Sequence, residues 1–219
     1  MIAIIDYGGG NLGSVVNALS FLGAECAVTR DASVLRSAEG VILPGVGAFG
    51  DAVRSLRANG LTEPVRACAL SDKPFLGICL GLQMLFGSSE ESPDEPGLGI
   101  LPGRVLKMPN QIDADLFEEK TSVPAAFKVP HMGWNCLEMP AAGERSALFA
   151  GLEDEPYVYF VHSYYVRADE RGDVIAETRY TALMDTAVGR GRLFGVQFHP
   201  EKSGAAGLKI LRNFVEMTK

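Results

Sequence analysis

A cysteine stands between two glycines in the string Gly77-Ile78-Cys79-Leu80-Gly81, directly after the apolar residues Phe75 and Leu76. This string is typical of a sharp strand-to-helix turn, in which the central residue is strained and the neighbouring backbones approach closely. A thiol at such a turn meets free backbone N–H groups and the positive end of the helix, which favour the thiolate. The pattern predicts that Cys79 is a nucleophile; a buried structural cysteine is the alternative.

A proton acceptor for this thiol is expected from one of three histidines, His131, His162 and His199. His199 precedes Pro200, which favours extended backbone, so the side chains of His199 and Glu201 are expected on the same side of the chain. A carboxylate beside an imidazole fixes its tautomer and stabilises the imidazolium. We therefore expect Cys79, His199 and Glu201 to form a catalytic triad. A surface turn with an unrelated charge pair is the alternative for the last two residues.

Composition restricts the classes of function. The 219 residues are 47% hydrophobic, enough for one α/β core, so we predict a single domain over residues 1–219. The net charge of −7, with no cluster of Lys and Arg, argues against nucleic acid or an anionic membrane as a partner. Residues 1–6 do not resemble a signal peptide and no segment could span a bilayer, so we expect a cytoplasmic location. The four cysteines form no CxxC pair, and neither a metal nor an organic cofactor is expected.

The spacing of apolar residues predicts an α/β fold with two dissimilar halves. In the first half, short apolar strands alternate with helical patterns, which is typical of a parallel sheet. The predicted strands are Ile2–Ile5, Cys26–Thr29, 40–43 and 75–78. The predicted helices are 12–22 with Asn11 as cap, a short helix capped by Asp31, 51–58, 61–71 and 80–86.

The second half begins with residues 87–102, whose Ser, Glu, Pro and Gly content predicts a surface loop. Strand-like runs joined mostly by turns then predict an antiparallel arrangement. These runs are residues 104–108, 126–129, 157–161, 173–178, 182–188 and 193–198. A last amphipathic helix is predicted at 207–217, with Ser203 near its start.

Two strings together resemble the class I glutamine amidotransferases: Gly-Ile-Cys-Leu-Gly-Leu-Gln at 77–83 and Gly-Val-Gln-Phe-His-Pro-Glu at 195–201. The resemblance implies a three-layer, flavodoxin-like α/β fold, with a central, mostly parallel sheet and antiparallel C-terminal strands. It also implies that a Cys, His and Glu triad hydrolyses the side-chain amide of L-glutamine. The thiolate would form a γ-glutamyl thioester and release ammonia, and water would then release glutamate.

Three further strings resemble the glutaminase subunits of imidazole glycerol phosphate synthases within that family. They are DYGGGNL at residues 6–12, PHMGWN at 130–135 and YFVHSY at 159–164. The resemblance implies a heterodimer with a (β/α)8 cyclase, which uses the ammonia to make imidazole glycerol phosphate and an aminoimidazole-carboxamide ribotide. Since no residues remain for an ammonia-consuming domain in this chain, a partner of this kind is expected.

The resemblance also implies roles for individual residues, and in one case the spacing agrees, because Gln83 lies one helical turn after Cys79 and faces the same side. The oxyanion hole would use Gly45, Val46, Gly47 and the N–H of Leu80. Glutamine would be bound by Gln83, Gly47, Glu91, Ser163 and Tyr164, with Glu91 suited to the α-ammonium. The cyclase interface would include Asn11, Trp134, Tyr159 and Lys202. Control by the partner through a peptide flip at 45–47 is a hypothesis.

Other classes of protein fit parts of this pattern. A cysteine peptidase or thiol-stress protein on a similar scaffold would also carry a cysteine at such a turn, but would not need Gln83. In a non-catalytic binding module, Cys79 would be inert and His199 replaceable. A glutaminase could also serve another acceptor, as in anthranilate, aminodeoxychorismate or pyridoxal phosphate synthesis.

Overall fold

The computed structural model describes residues 1–110 and 128–219. The first half forms the parallel part of a sheet in the order β2-β1-β3-β4, because each strand is followed by at least one helix that returns the chain to the same edge. These strands are β1 (Ile2–Ile5), β2 (Cys26–Thr29), β3 (Gly40–Gly45) and β4 (Phe75–Cys79). The helices are α1 (Leu12–Phe21), α2 (Ala32–Ser37), α3 (Phe49–Ala58), α4 (Thr62–Ala69) and α5 (Leu80–Met84).

The second half extends the same sheet with antiparallel strands. They are β5 (Gly103–Lys107), β8 (Tyr164–Ala168), β9 (Val174–Arg179) and β10 (Leu183–Arg190). Strand β11 (Leu193–Val196) joins the halves, because it pairs in parallel with β4 and antiparallel with β10. A separate two-stranded ribbon consists of β6 (His131–Cys136) and β7 (Tyr157–His162), and α6 (Gly204–Met217) ends the chain.

Helices cover both faces of the parallel sheet and form three layers. Alternate residues of β1 point to opposite faces: Ile2 and Ile4 pack with α1 and α6, whereas Ala3 and Ile5 pack with residues of α2, α3 and α4. Strands buried on both faces are apolar at every position, as β1 is. The predicted three-layer, flavodoxin-like α/β fold is therefore confirmed. In the described part of the chain, no helix combines the length and apolar character needed to cross a bilayer.

Several predicted elements differ in detail from the structure. Asn11 precedes α1, but its side chain makes no capping hydrogen bond, because its backbone is not extended there (φ −88°, ψ 62°). Asp31 does cap α2, accepting a hydrogen bond of 2.7 Å from the backbone N–H of Ser33. The helix after Cys79 ends at Met84 and not at residue 86. Strands β6 and β8 were not predicted, and residues 126 and 127 of the predicted strand 126–129 lie outside the described residues.

A buried carboxylate holds the antiparallel strands together. Asp185 on β10 is fully buried and accepts hydrogen bonds from the backbone N–H of Ala168 (2.8 Å) and from Arg171 (2.8 Å). Arg167 contributes a longer ion pair of 3.4 Å to the same carboxylate. A buried charge is tolerated only when it is paired and hydrogen-bonded. Asp185 on β10 therefore keeps its partners on β8 and in the turn before β9 in place.

Candidate active site

Cys79 lies at the sharp turn between β4 and α5. Its φ of +55° makes it the one non-glycine residue with positive φ among residues 1–110 and 128–219. The glycines on either side are needed, since a Cβ on Gly81 would lie 1.8 Å from the carbonyl oxygen of Leu43, and one on Gly77 would lie 2.8 Å from the carbonyl oxygen of Gly81. Backbone strain of this kind costs about 1–3 kcal/mol and is concentrated at functional sites. The predicted strand-to-helix turn is present.

His199 and Glu201 come to the same place from the end of β11. His199 Nδ1 lies 2.9 Å from Glu201 Oε1, and both side chains are almost completely buried. The other ring nitrogen, Nε2, makes no hydrogen bond with any described residue. Because β11 is the parallel neighbour of β4, the segment after it ends at the same edge as Cys79. The carboxylate therefore holds the ring by Nδ1 and leaves Nε2 for the site.

The charges around His199 favour its protonated form. Burial by itself lowers the pKa of this histidine, but the neighbouring Cys79 and Glu201 side chains outweigh burial and raise its pKa to about 9. An imidazolium at neutral pH is the natural partner of a thiolate, since each stabilises the charge of the other. Cys79 and Glu201, the other two residues of the predicted triad, thus both lie beside His199 and favour its charged form.

A cavity of about 310 Å³ opens in front of Cys79 and His199. Its lining includes residues predicted for the oxyanion hole and for substrate: Val46, Gly47, Leu80, Gln83, Glu91, Ser163 and Tyr164. Gly45 lies behind this wall, in register with Cys79 and packed against the start of α5. Among the described residues, no group of three or more His, Cys, Asp or Glu side chains is placed to hold a metal ion.

Glu91 supplies a carboxylate to this cavity in a fixed position. Its Oε2 accepts a hydrogen bond of 2.8 Å from the backbone N–H of Phe49, the first residue of α3. Ser92 accepts a second bond, of 3.1 Å, from the N–H of Gly50. The loop after α5 is therefore held to the N-terminus of α3, where a carboxylate is favoured by the helix dipole. This arrangement leaves Glu91 Oε1 for a cationic group of a ligand.

Gln197 is a site residue that the sequence prediction missed. It is completely buried, and its Nε2 lies 3.6 Å from the sulfur of Cys79. Its Oε1 accepts a hydrogen bond of 3.1 Å from Gln83 Nε2, which also donates to the carbonyl of Tyr164 at 3.0 Å. A signal was present in the sequence, because Gln197 lies two residues before His199 on an extended chain and so faces the same side.

Two of the predicted interface residues, Trp134 and Tyr159, lie near the triad residue His199. Trp134 and Tyr159 are paired across the ribbon, and their rings make an edge contact with centroids 6.0 Å apart. The backbone of Tyr159 accepts a bond of 3.0 Å from the N–H of His199 and donates one of 2.9 Å to the Ser203 hydroxyl. Lys202 is exposed next to Ser203, and Asn11 precedes α1, which forms a groove with Glu201 and Gly204. Trp134 is 55% exposed.

A family model described as glutamine amidotransferase class-I matches residues 3–217. The chain belongs to the class-I glutamine amidotransferase family. Two solved structures show the same fold at low identity. One is a crystal structure of a glutamine amidotransferase (20% identity, TM-score 0.71, covering 100% of this chain and 99% of the other), and the other is the structure of PurLQS from Thermotoga maritima (19% identity, TM-score 0.72, covering 100% and 98%).

Curated relatives narrow the family further. The imidazole glycerol phosphate synthase subunit HisH of Methanothermobacter thermautotrophicus is 48% identical over 220 residues, which cover all of both chains. The subunit of the same name from Moorella thermoacetica is 47% identical over 218 residues, covering 100% of this amidotransferase and 95% of the relative. The family and the glutaminase activity of an imidazole glycerol phosphate synthase subunit, both predicted from the sequence, are therefore confirmed.

Proposed function

We propose that Cys79, His199 and Glu201 hydrolyse L-glutamine in the cavity described, and that the ammonia passes to a (β/α)8 cyclase subunit. The observation that carries the proposal is the meeting of a strained cysteine with a carboxylate-bound imidazole at one cavity. The proposed cyclase would make imidazole glycerol phosphate and an aminoimidazole-carboxamide ribotide. A partner of this kind is supported by the HisH relatives, which are named as subunits of imidazole glycerol phosphate synthase. One catalytic domain over residues 1–219 is supported by the main sheet, because strands from both halves of the chain belong to it.

The reaction begins when the Cys79 thiolate attacks the side-chain amide carbon of glutamine. The carbonyl oxygen becomes an oxyanion, for which the N–H of Leu80 and the backbone of Val46 and Gly47 are the nearest donors lining the cavity. The His199 imidazolium then gives its proton to the leaving nitrogen, and the C–N bond breaks. Ammonia and a γ-glutamyl thioester on Cys79 are the products of this half of the reaction.

The second half returns the enzyme to its starting state. His199, now neutral, takes a proton from water, and the resulting hydroxide attacks the thioester carbon. Collapse of this intermediate breaks the C–S bond, restores the thiolate and releases glutamate. Glu201 accepts a hydrogen bond from Nδ1–H of His199 throughout. The Nε2 atom of His199 can therefore act first as an acid and then as a base.

Substrate binding is assigned to the remaining polar groups of the cavity. Glu91 is the proposed partner of the α-ammonium, and Ser163 and Tyr164 line the same cavity. Both amide protons of Gln83 are already donated within the protein, so Gln83 offers a ligand only its Oε1, as an acceptor. These assignments favour a free amino acid over a peptide, because a carboxylate at this position pairs best with a free ammonium.

Control by the partner is supported by the contacts of Tyr159. The proposed interface consists of Asn11, Trp134, Tyr159 and Lys202, and the backbone carbonyl of Tyr159 accepts a hydrogen bond from the N–H of His199. A partner that displaces Tyr159 would therefore also displace the backbone of the catalytic histidine. A cytoplasmic location is proposed because a reducing compartment keeps thiols free, and Cys79 and three further cysteines are unpaired here.

The thioester can be trapped to test this assignment. Labelled glutamine is mixed with the enzyme, the reaction is stopped in acid, and the peptides are analysed by mass spectrometry. We expect the label on the peptide that contains Cys79, sensitive to hydroxylamine, and absent from a Cys79→Ala variant. A Cys26→Ser variant is the matched control and should retain the label. Label on another cysteine in the wild-type enzyme would exclude Cys79 as the nucleophile.

A further inference from the structure

A continuous chain of buried hydrogen bonds joins the nucleophile to the β6–β7 ribbon. At one end, Gln197 Nε2 lies 3.6 Å from Cys79 Sγ, and Gln197 Oε1 accepts from Gln83 Nε2 at 3.1 Å. Gln83 also donates to the carbonyl of Tyr164, at 3.0 Å. Neither half of the proposed reaction uses these hydrogen bonds, although they end on the attacking sulfur.

The chain continues on the other side of the Tyr164 carbonyl. His162 Nδ1 lies 2.9 Å from this oxygen, and His162 Nε2 lies 3.2 Å from His131 Nδ1. His131 Nε2 is in turn 3.4 Å from the side-chain nitrogen of Asn135, on β6. His131 is held between the rings of Phe160 and Tyr180, with centroids 4.7 Å and 4.0 Å away. Both histidine rings are buried.

The carbonyl of Tyr164 fixes the direction of every hydrogen bond in this chain, because a carbonyl can only accept. His162 must therefore carry its proton on Nδ1 and accept at Nε2 from His131 Nδ1–H. On the other side, Gln83 must present its NH₂ group to the carbonyl, and its second proton then meets the oxygen of Gln197. Gln197 is left with its NH₂ group facing the sulfur of Cys79.

We propose that Gln197 is a positioning residue for the Cys79 thiolate, and that Gln83, the Tyr164 carbonyl and the His131–His162 pair hold its amide in the donating orientation. The inference deepens the proposed function and rests on Cys79 as the nucleophile. A donor at this distance stabilises the thiolate more than the thiol and restrains the sulfur to one position. Hydrogen bonds to charged groups are stronger than those to neutral ones, and we expect an effect of about tenfold on the thiolate-to-thiol ratio.

The test measures the chemistry of the sulfur directly, without glutamine or a partner. The full chain is alkylated with iodoacetamide across the pH range, and modification of the Cys79 peptide is followed by mass spectrometry, since only the thiolate reacts. Burial raises the pKa of the thiols of Cys26, Cys68 and Cys136, so they react slowly. In Gln197→Leu we expect the pH midpoint to rise by about one unit and the rate at neutral pH to fall about tenfold.

Thr186→Val is the matched control. Thr186 is as buried as Gln197, its carbonyl accepts from the N–H of Gln197 at 2.8 Å, and its hydroxyl bonds Thr178 at 3.1 Å. This variant loses a buried polar group in the same place but no donor to the sulfur, so its midpoint should match the wild type. The other titratable neighbours of Cys79, which are His199, Glu201 and Tyr7, are unchanged in both variants. An unshifted midpoint in Gln197→Leu, or an equal shift in Thr186→Val, would overturn the proposal.

The role of the histidine pair is tested by non-additivity. His162→Phe should shift the midpoint in the same direction as Gln197→Leu but by less, and the double variant should shift no further than Gln197→Leu alone. Shifts that add would overturn the connection. If His162→Phe does not fold, nitrogen NMR of the wild-type protein can identify the tautomers of the two histidines. A proton on Nδ1 of both rings supports the proposed hydrogen bonds, and a proton on Nε2 of His162 overturns them. A glutaminase that fails to act would leave these alkylation results unaffected, so the two failures are distinguishable.

Discussion

Replacing His131 and His162 together by asparagine should make the stability of the fold fall by about 5 kcal/mol less between pH 7 and pH 4.5. Burial lowers the pKa of His131 to about 4, and burial together with the neighbouring His131 lowers the pKa of His162 to about 3. In the unfolded chain both histidines titrate near 6.5. The unfolded state therefore takes up protons first as the pH falls. The stability of the neutral pair is fully present above about pH 6.5 and is lost below it.

The size of this effect follows from the two shifts. Each buried histidine lowers the free energy of unfolding by about 1.4 kcal/mol per pH unit below 6.5, so the pair should lower it by about 5 kcal/mol between pH 7 and pH 4.5. That is a large part of the ~5–15 kcal/mol by which domains are stable. His199 acts in the opposite direction, because its raised pKa of about 9 gives stability that is present below pH 6.5 and lost as the pH rises through 9. His199 is unchanged in the double variant.

Urea unfolding followed by circular dichroism at several pH values between 7 and 4.5 measures this difference. The double variant is expected to be less stable at pH 7, because asparagine fills less space, but its free energy of unfolding should fall by about 5 kcal/mol less than that of the wild type over this range. Carboxylates contribute equally to both proteins and cancel. Parallel curves for the two proteins would refute the reasoning, since the buried pair would then not be neutral.

Three further substitutions test individual contacts. Glu91→Gln keeps an oxygen for the N–H of Phe49 but loses the charge, so KM for glutamine should rise about tenfold or more with kcat nearly unchanged, and a fall in kcat alone would contradict the assigned role. Tyr7→Phe removes a buried hydroxyl that has no hydrogen-bond partner among the described residues, so thermal unfolding followed by circular dichroism should give a melting temperature higher by about 2–4 °C. A lower melting temperature would mean that the hydroxyl makes a hydrogen bond in the folded protein. Asp185→Ala should cost about 3 kcal/mol in urea unfolding, whereas Glu216→Ala, in an exposed pair with Lys219, should cost under about 1 kcal/mol; equal losses would contradict the buried cluster.

The parts of the site that short spacing determines could be predicted from the sequence. The glycines around Cys79 and the proline between His199 and Glu201 restrict the local backbone, and the structure has the turn and the His–Glu contact that they predict. Helices α1 to α4 and strands β1 to β4 also follow from local periodicity. Gln197 was missed although its spacing to His199 carried the information, because a buried amide has no characteristic local pattern.

Other features depend on pairing between distant segments. Strand β6 alternates Met132, Trp134 and Cys136 with two polar residues and a glycine, over six residues only. It is a strand because each residue from His131 to Cys136 pairs with one on β7. Strand β8 follows β7 after Ser163 alone, so the sequence shows one long run where the structure has two strands in different sheets. The parallel pairing of β11 with β4, which brings His199 to Cys79, is likewise invisible in local spacing.

The most direct test of the account is the release of glutamate from glutamine by the purified chain, alone and with the cyclase subunit and its nucleotide ligand. Parallel assays use Cys79→Ala and, as a control for a lost thiol, Cys26→Ser. We expect the partner and its ligand to stimulate glutamate release strongly. Cys26→Ser should retain this release, and Cys79→Ala should abolish it. Glutamate release by Cys79→Ala at the wild-type rate would contradict the thiolate mechanism.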